Sequence, residues 1–308
     1  MKRYIFLILI ILILGGIFVW QTIYLPRNPS SKTEVVFKIE KGEGSRGIAL
    51  NLEKAGLIKW EPPFRVYVLL KGVAERLQAG DYQLSPSMNI PEIVDKLVRG
   101  DVIKEKITFP EGFNLKEIKE RFESSEFLQT IDLEELKISD FKGEFEFLSE
   151  APDEASLEGF LFPDTYFFDS DMKEREIAEI FFKNFDKELT QDLRDEIKRQ
   201  EKTIFEIVTM ASLIEKEVIT YEDKEIVSGI LWKRLKNDMF LQVDAEMGTY
   251  EYKGLPPGPI CNPGLESILA ALYPKESSYW YYLSAPDGKT IFSRTLGEHN
   301  IAKAKYLR

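Results

Sequence analysis

A helix-forming segment at 204–218, IFEIVTMASLIEKEV, most constrains how this chain can fold. Its apolar residues recur at spacings of three and four, which places them on one stripe of an α-helix. At about 100° per residue, Glu215 falls within that stripe. A carboxylate there is unfavourable unless it is protonated, paired or required for function. The sequence therefore leaves two interpretations of Glu215. It is a general acid whose pKa is raised by burial, or it is a carboxylate that is salt-bridged in the core or faces water at a helix end.

Composition narrows the classes of function that remain. The 308 residues carry a net charge of -11, which argues against nucleic acid as a partner because no basic surplus exists to neutralise phosphates. With a single cysteine, Cys261, no intramolecular disulfide can form. With a single histidine, His299, a His/Cys zinc site and a Ser-His-Asp triad are both disfavoured. We therefore expect no metal site and no cofactor, and we expect carboxylates to carry any catalysis.

The N-terminus has the pattern of a membrane anchor. Lys2 and Arg3 precede an uncharged, mostly apolar run at 4–20, and no A-x-A-like cleavage site follows it. We interpret 1–25 as an uncleaved, single-pass transmembrane helix rather than a signal peptide, followed by a linker at 26–32. Because the basic pair precedes the helix, the positive-inside rule keeps the N-terminus in the cytoplasm. The rest of the chain is therefore expected in the periplasm or at the cell surface.

The rest of the chain has the patterns of two globular parts. In 33–106, strand-like segments alternate with capped helices, which predicts a small α/β module. In 107–308, several amphipathic helices and a C-terminal hairpin predict a larger mixed α+β domain. Within it, the charged segment 117–151 is predicted to be mostly helical and solvated. The expected fold class is therefore α+β, with an N-terminal transmembrane helix before the two parts.

Two segments admit both a binding and a structural interpretation. Residues 157–168, LEGFLFPDTYFF, set Glu158, Asp164 and Tyr166 among aromatic side chains. Aromatic rings beside carboxylates are typical of carbohydrate clefts, but the pattern alone favours a buried turn whose phenylalanines fill the core. The proline-rich segment 254–264 predicts a stiff loop, which is either a wall of a binding groove or a rigid connector.

Five motifs in a fixed order resemble those of the YceG-like family, whose characterised members are MltG-type endolytic murein transglycosylases. The motifs are LEGFLFPDTY at 157–166, ASLIEKE at 211–217, LQVD at 241–244, GLPPGPICNPG at 254–264 and EHN at 298–300. The resemblance extends from the anchor to the C-terminus. It implies a single-pass inner-membrane anchor, a LysM-like module at 33–106 and a catalytic domain at 107–308 that acts on peptidoglycan glycan strands.

The resemblance also implies roles for individual residues. The first glutamate of ASLIEKE, Glu215, falls on the family's catalytic acid, in agreement with its position on the helix face. The stretch 245–253 is shorter than the family pattern, which leaves the register of the glycan there open. Six residues within the motifs are expected to bind substrate or to shape the cleft: Glu158, Asp164, Tyr166, Gln242, Asp244 and Asn262.

The activity implied by the resemblance is cleavage of the β-1,4 bond between N-acetylmuramic acid and N-acetylglucosamine. Glu215 would act as the acid and the sugar's own C6 hydroxyl as the nucleophile, which leaves a 1,6-anhydro end and terminates nascent strands. Wall synthases are the protein partners that the family implies. Two alternatives stay open: a hydrolytic muramidase that uses Glu215 with Asp164 or Asp244, and a non-catalytic glycan-binding scaffold of the wall-synthesis machinery.

Overall fold

The structure, a computed structural model, describes residues 2–307 and divides the chain into two compact units. Unit 1 comprises Met1–Glu105 and Phe167–Asp171, and unit 2 comprises Lys106–Tyr166 and Met172–Arg308. The first residue of the predicted anchor and the last residue of the predicted catalytic domain lie outside the described residues. The elements form a mixed α+β fold whose sheets are small and two-stranded.

Unit 1 contains an N-terminal helix followed by a small module of two strands and three helices. Among residues 2–307, none of the helices meets the combined length and hydropathy that a bilayer-spanning segment requires, although the sequence predicts one at 1–25. The elements in chain order are α1 (Lys2–Tyr24), β1 (Val35–Ile39), α2 (Ser45–Lys54), α3 (Glu61–Lys71), β2 (Gly80–Leu84) and α4 (Ile90–Arg99).

The core of unit 1 forms between the antiparallel pair of strands and the helices. Phe37 of β1 lies opposite Tyr82 of β2, and both are buried, as the alternation of side chains along a strand requires. The helix α4 adds apolar residues at spacings of three and four. It begins at a capping box formed by Asn89 and Glu92 and ends at Gly100, whose φ of 67° favours glycine.

Unit 2 is mainly helical. The strands β3 (Lys104–Thr108) and β4 (Thr165–Asp169) pair with each other, and the division between the units falls within both. A second pair, β5 (Tyr281–Ser284) and β6 (Thr290–Ser293), is the predicted C-terminal hairpin. The helices are α5 (Leu115–Glu123), α6 (Glu174–Glu188), α7 (Gln191–Arg199), α8 (Ile204–Glu217), α9 (Tyr221–Lys236), α10 (Leu265–Leu272) and α11 (Leu296–Tyr306).

The segment 117–151 differs from its prediction. Only its start, at the end of α5, is α-helical, and the described chain beyond it contains short 3₁₀ turns at Ile138–Asp140 and Glu146–Leu148. Phe141 and Leu148 from this segment are fully buried. The prediction of a solvated helix was wrong because irregularly spaced apolar side chains fix the segment against the core, although charged residues dominate its composition.

Most of the aromatic residues that the sequence left ambiguous are buried. Phe160 and Phe168 are fully buried, as the structural interpretation of 157–168 predicts. Phe182 of α6 is also fully buried, and its ring contacts those of Phe141 and Phe145 at centroid distances of 4.9 and 5.3 Å. Both contacts are edge-to-face, which is a favourable geometry for aromatic pairs.

We expect Phe182→Ala to lower the free energy of unfolding by about 3–5 kcal/mol, because it removes a buried ring and leaves a cavity. Urea denaturation measures this loss. The matched control is Phe167→Ala, since Phe167 is 57% exposed and should change stability by about 0.5 kcal/mol or less. Equal losses in the two variants would contradict the assignment of this aromatic core.

Candidate functional site

Glu215 lies at the C-terminal end of α8, a helix with a long buried stretch. A capping box between Thr203 and Glu206 begins the helix, and Val218 ends it in an extended conformation. Every residue from 207 to 214 is buried, so α8 is enclosed on all sides and not along one stripe as its spacing predicts. Glu215 follows in the last turn, with its side chain 9% exposed.

Both oxygens of Glu215 have partners. Oε1 lies 3.2 Å from Nζ of Lys224, a residue of α9 whose side chain is 3% exposed. Oε2 accepts a hydrogen bond of 3.0 Å from the backbone N–H of Gly264. The carboxyl group is therefore salt-bridged within the core, which is the second of the two interpretations that the sequence left open. A buried pair of this kind fixes the position of the carboxylate, and its charge is balanced by the lysine.

The proline-rich segment 254–264 is attached to α8 directly before Glu215. Oγ of Ser212 accepts a hydrogen bond from the N–H of Ile260 at 3.1 Å, and Sγ of Cys261 donates to the Ser212 carbonyl at 3.4 Å. Cys261 is fully buried, and burial raises the pKa of its thiol. These contacts fix the loop so that Gly264 meets Glu215.

Asn262 uses its whole side chain to join three segments of the chain. Its Oδ1 accepts from the N–H groups of Gly159 and Leu161 at 2.8 and 2.9 Å. Its Nδ2 donates to the Phe113 carbonyl at 2.9 Å and to Oε1 of Glu158 at 2.8 Å. Two acceptor and two donor positions are the full capacity of an asparagine side chain. With 1% of its surface exposed, Asn262 has no group left for a substrate.

Glu158 belongs to the same buried network. Its Oε2 accepts a 2.9 Å hydrogen bond from the N–H of Leu115, the first residue of α5. Burial raises the pKa of Glu158 to about 7, although this hydrogen bond acts in the opposite direction. The sequence analysis expected Glu158 and Asn262 either to bind substrate or to shape the cleft. Their contacts support the second of these roles.

A second carboxylate, Glu111, lies beside Gly264. A Cβ atom built on Gly264 would stand 1.9 Å from Oε1 of Glu111, so only glycine fits between this residue and Glu215. A Cβ on Gly112 would stand 3.5 Å from Cγ of Glu215, which places the turn that carries Glu111 against the catalytic candidate. The turn is held by two backbone hydrogen bonds with Asn262 of 2.8 and 2.9 Å.

Electrostatics couple the residues around Glu215. Partial burial and the negative charges of Glu215 and Glu266 raise the pKa of Glu111, while Lys224 opposes the rise. Glu266, in the first turn of α10, reaches within 4.0 Å of Lys224 Nζ. The sequence analysis missed Glu111 and Lys224. The turn around Glu111 is visible in the sequence, but nothing in the local pattern places it next to a helix that begins about a hundred residues later.

The other predicted site residues form two separate groups. Asp164 and Tyr166 share Asn184, whose Nδ2 lies 3.0 Å from both side chains. Gln242 and Asp244 line a cavity of about 240 Å³, and Asp244 accepts a hydrogen bond from the Tyr250 hydroxyl. Among the described residues, no hydrogen bond or ion pair joins Asp164 or Asp244 to Glu215.

We expect Lys224→Met to lower the free energy of unfolding by about 3–5 kcal/mol at pH 8, because it leaves the Glu215 carboxylate buried without its cation. The loss should shrink at pH 5, since a protonated carboxyl carries no charge. Denaturation at the two pH values measures both effects.

The double variant Lys224→Met, Glu215→Gln provides the control. It removes both charges, so most of the stability lost in Lys224→Met should return. If Lys224→Met alone lowered the free energy of unfolding by less than about 1 kcal/mol, the ion pair would be more exposed to water than the structure shows.

Known proteins resemble this chain over most of its length. The sequence model of the YceG-like family matches residues 37–305. A protein of Bacillus subtilis (strain 168) named endolytic murein transglycosylase is 32% identical over 96% of this chain and 91% of its own length. A protein of the same name from Streptococcus pneumoniae serotype 2 (strain D39) is 27% identical over 95% of this chain and 62% of its own length.

A solved structure resembles the chain as well. The 2.6 Å crystal structure of a yceG-like protein from Listeria monocytogenes is 32% identical and superposes with a TM-score of 0.56. The match covers 89% of this chain and all of the Listeria chain. The family predicted from the five sequence motifs is thus confirmed: the chain belongs to the YceG-like family.

Proposed function

We propose that this protein is an endolytic murein transglycosylase, a lyase that acts on peptidoglycan glycan strands. Its substrate bond is the β-1,4 bond between N-acetylmuramic acid and N-acetylglucosamine. The proposal is supported by the names of the Bacillus and Streptococcus relatives. The observation that carries it is Glu215, a nearly buried carboxyl group held by Lys224 and by the Gly264 N–H at the end of α8.

One carboxyl group is sufficient for this reaction. Protonated Glu215 gives its proton to the glycosidic oxygen while the bond from C1 to that oxygen breaks. The C6 hydroxyl of the same sugar then attacks C1 and returns its proton to Glu215, which closes the 1,6-anhydro ring. A hydrolytic glycosidase needs a second carboxylate because it must activate water or form a covalent intermediate.

The neighbours of Glu215 suit both halves of this proton cycle. Lys224 stabilises the carboxylate that forms when the proton leaves. Partial burial and the negative charge of Glu215 raise the pKa of Glu111, so a second carboxyl group that holds its proton more readily lies beside the centre. The arrangement therefore supplies an acid before bond cleavage and a stabilised base after it.

The location and domain roles of the proposal follow from the sequence. The basic pair and apolar run at 1–25 support a single-pass anchor in the inner (cytoplasmic) membrane, with the N-terminus in the cytoplasm. We propose a LysM-like glycan-binding role for 33–106 and a catalytic role for 107–308 in the periplasm or outside the cell. A membrane-held endolytic lyase would terminate nascent strands, and wall synthases are its proposed partners.

We expect full-length protein to release 1,6-anhydro ends from purified peptidoglycan and Glu215→Gln to lower that rate by about 10²–10⁴-fold, because it removes the proton donor. Mass spectrometry of the digest identifies the ends. Glu251→Gln, an exposed glutamate of the same unit, is the control and should cleave normally. Reducing ends would show a hydrolase, and cleavage by neither protein would favour the scaffold.

We expect Glu111→Gln to move the alkaline limb of the pH–rate profile to lower pH. The acid must be protonated to act, and activity falls as pH rises through the apparent pKa of the pair. The neutral glutamine removes the negative charge that helps the centre keep its proton, so activity is lost earlier. Initial cleavage rates from pH 4 to pH 9 measure the position of the alkaline limb. If the rate fell but the limb stayed at the same pH, Glu111 would only position Glu215 and would not affect its protonation.

A further inference from the structure

Glu215 must carry a proton to act as an acid, yet its contacts favour the ionised form. Its Oε1 lies 3.2 Å from the ammonium group of Lys224, and its Oε2 accepts a hydrogen bond of 3.0 Å from the N–H of Gly264. A cation on one oxygen and a donor on the other stabilise a carboxylate relative to a neutral carboxyl group. A change in the contacts of Lys224 would therefore favour the protonated acid.

Lys224 has a second carboxylate within reach. Its Nζ lies 4.0 Å from Oε2 of Glu266, compared with 3.2 Å from Oε1 of Glu215. A lysine ammonium carries three donor hydrogens on a flexible stem. Because hydrogen bonds between charged groups are about 2.7–2.9 Å long, a movement of about 1 Å would exchange one partner for the other.

The burial of Lys224 makes its choice of partner matter. The Lys224 side chain is 3% exposed, so water cannot replace a carboxylate that the ammonium group loses. The Glu266 side chain is 59% exposed, so it has room to approach the lysine and is hydrated when it does not. Lys224 thus needs an anion at close range, and Glu266 is a partner that can adjust its position.

The helix α10 holds Glu266 close to the pair. Gly264 is the N-cap of α10 and donates its N–H to Glu215, and Glu266 follows in the first turn. The same helix packs against both α8 and α9, which carry Glu215 and Lys224. The start of α10 therefore stays beside both members of the ion pair, and Glu266 remains near Lys224 whichever carboxylate the lysine contacts.

The other titratable groups around the pair are one carboxyl group and two neutral groups. Glu111, on the turn after β3, interacts with the pair, and its pKa is raised by burial and by the neighbouring carboxylates. Burial also raises the pKa of the Cys261 thiol on the proline-rich loop and of the Tyr221 hydroxyl on α9. Both of these groups keep their protons at pH 7, so they add no charge that would compete for Lys224.

We propose that Lys224 exchanges its carboxylate partner during the reaction and that Glu266 is the positioning residue that receives it. In the free protein, Lys224 pairs with Glu215. When Lys224 moves to Glu266, Glu215 takes one proton from solvent water and becomes the neutral acid. Once that proton has passed to the glycosidic oxygen, Lys224 returns to the newly formed carboxylate. The catalytic role of Glu215 rests on the proposed function, whereas the exchange rests on the two distances and on the burial of the lysine.

The exchange can be tested without a cleavage assay. Glu215→Gln removes the charge that competes for Lys224, so Glu266 should become the main partner of the lysine. Adding Glu266→Gln should then raise the equilibrium constant of unfolding about tenfold, compared with about threefold or less in the wild type. Urea denaturation of the full-length protein at pH 7 measures these constants.

Two controls show whether Glu266 acts through the lysine. In the double variant Lys224→Met, Glu215→Gln, the added Glu266→Gln should have only its small wild-type effect, because the lysine is missing. Glu222→Gln, at an exposed glutamate in the first turn of α9, should have the same small effect in every background. An equal effect of Glu266→Gln in all three backgrounds would overturn the proposal, since Glu266 would then stabilise only the start of its own helix.

The pH profile of cleavage tests the consequence for the reaction. In Glu266→Gln, Lys224 has no second partner and stays with Glu215, so the ionised form is favoured. We expect the alkaline limb of the pH–rate profile to move to lower pH by about one unit, while Glu222→Gln leaves the limb in place. An unmoved limb in Glu266→Gln would overturn the role of the exchange in the reaction.

The stability measurement is independent of the cleavage assay. A larger effect of Glu266→Gln in the Glu215→Gln background, together with an absence of anhydro ends from the wild type, would support the exchange and reject the lyase. Normal cleavage by the wild type, with equal effects of Glu266→Gln in all backgrounds, would reject the exchange and leave the lyase standing.

Discussion

The four hydrogen bonds of the Asn262 side chain determine the shape of the region around Glu215. They connect the turn after β3, the aromatic segment that begins at Leu157 and the proline-rich loop. Without them, three irregular segments would have to meet at a buried helix end with unpaired backbone groups, which is costly. The loop, so held, presents the Gly264 N–H to Glu215. The geometry of the candidate acid thus depends on a residue that makes no contact with the acid's carboxyl oxygens.

The charges at this centre explain how a carboxylate can remain inside the core. Lys224 supplies the opposite charge at 3.2 Å, and the Gly264 N–H satisfies the second oxygen. Hydrophobic replacements of buried ion pairs are often as stable, so stability alone does not account for this pair. The role proposed for Glu215, in which it releases and then accepts a proton, would account for it. The exposed Glu111 lies on the other side of Gly264, and its pKa is raised by partial burial and by the charge of Glu215.

Local sequence patterns predicted the secondary-structure elements, but they could not predict contacts between residues that are far apart in the chain. The helices α8 and α9 and the C-terminal hairpin follow from periodicity and turn residues that lie within each element. The burial of Phe160 and Phe168 follows from apolar content. Lys224 and Glu111 carry no such signal, because a buried cation and an exposed acid look like surface charges until the fold brings them to Glu215. The motif resemblance likewise identified Glu158 and Asn262 as site residues, but it could not show whether they bind substrate or hold the surrounding segments together.

The position of Cys261 has a practical consequence for spectroscopy. The chain has a single cysteine, it is fully buried against α8, and burial raises the pKa of its thiol. Because the thiolate is the form that attacks maleimides, the native protein should be almost unreactive toward these reagents. A cysteine introduced on the surface would then carry a fluorophore or spin label alone, without removal of the native thiol. Distances within each unit could be followed by such probes while the loop that holds Gly264 stays untouched.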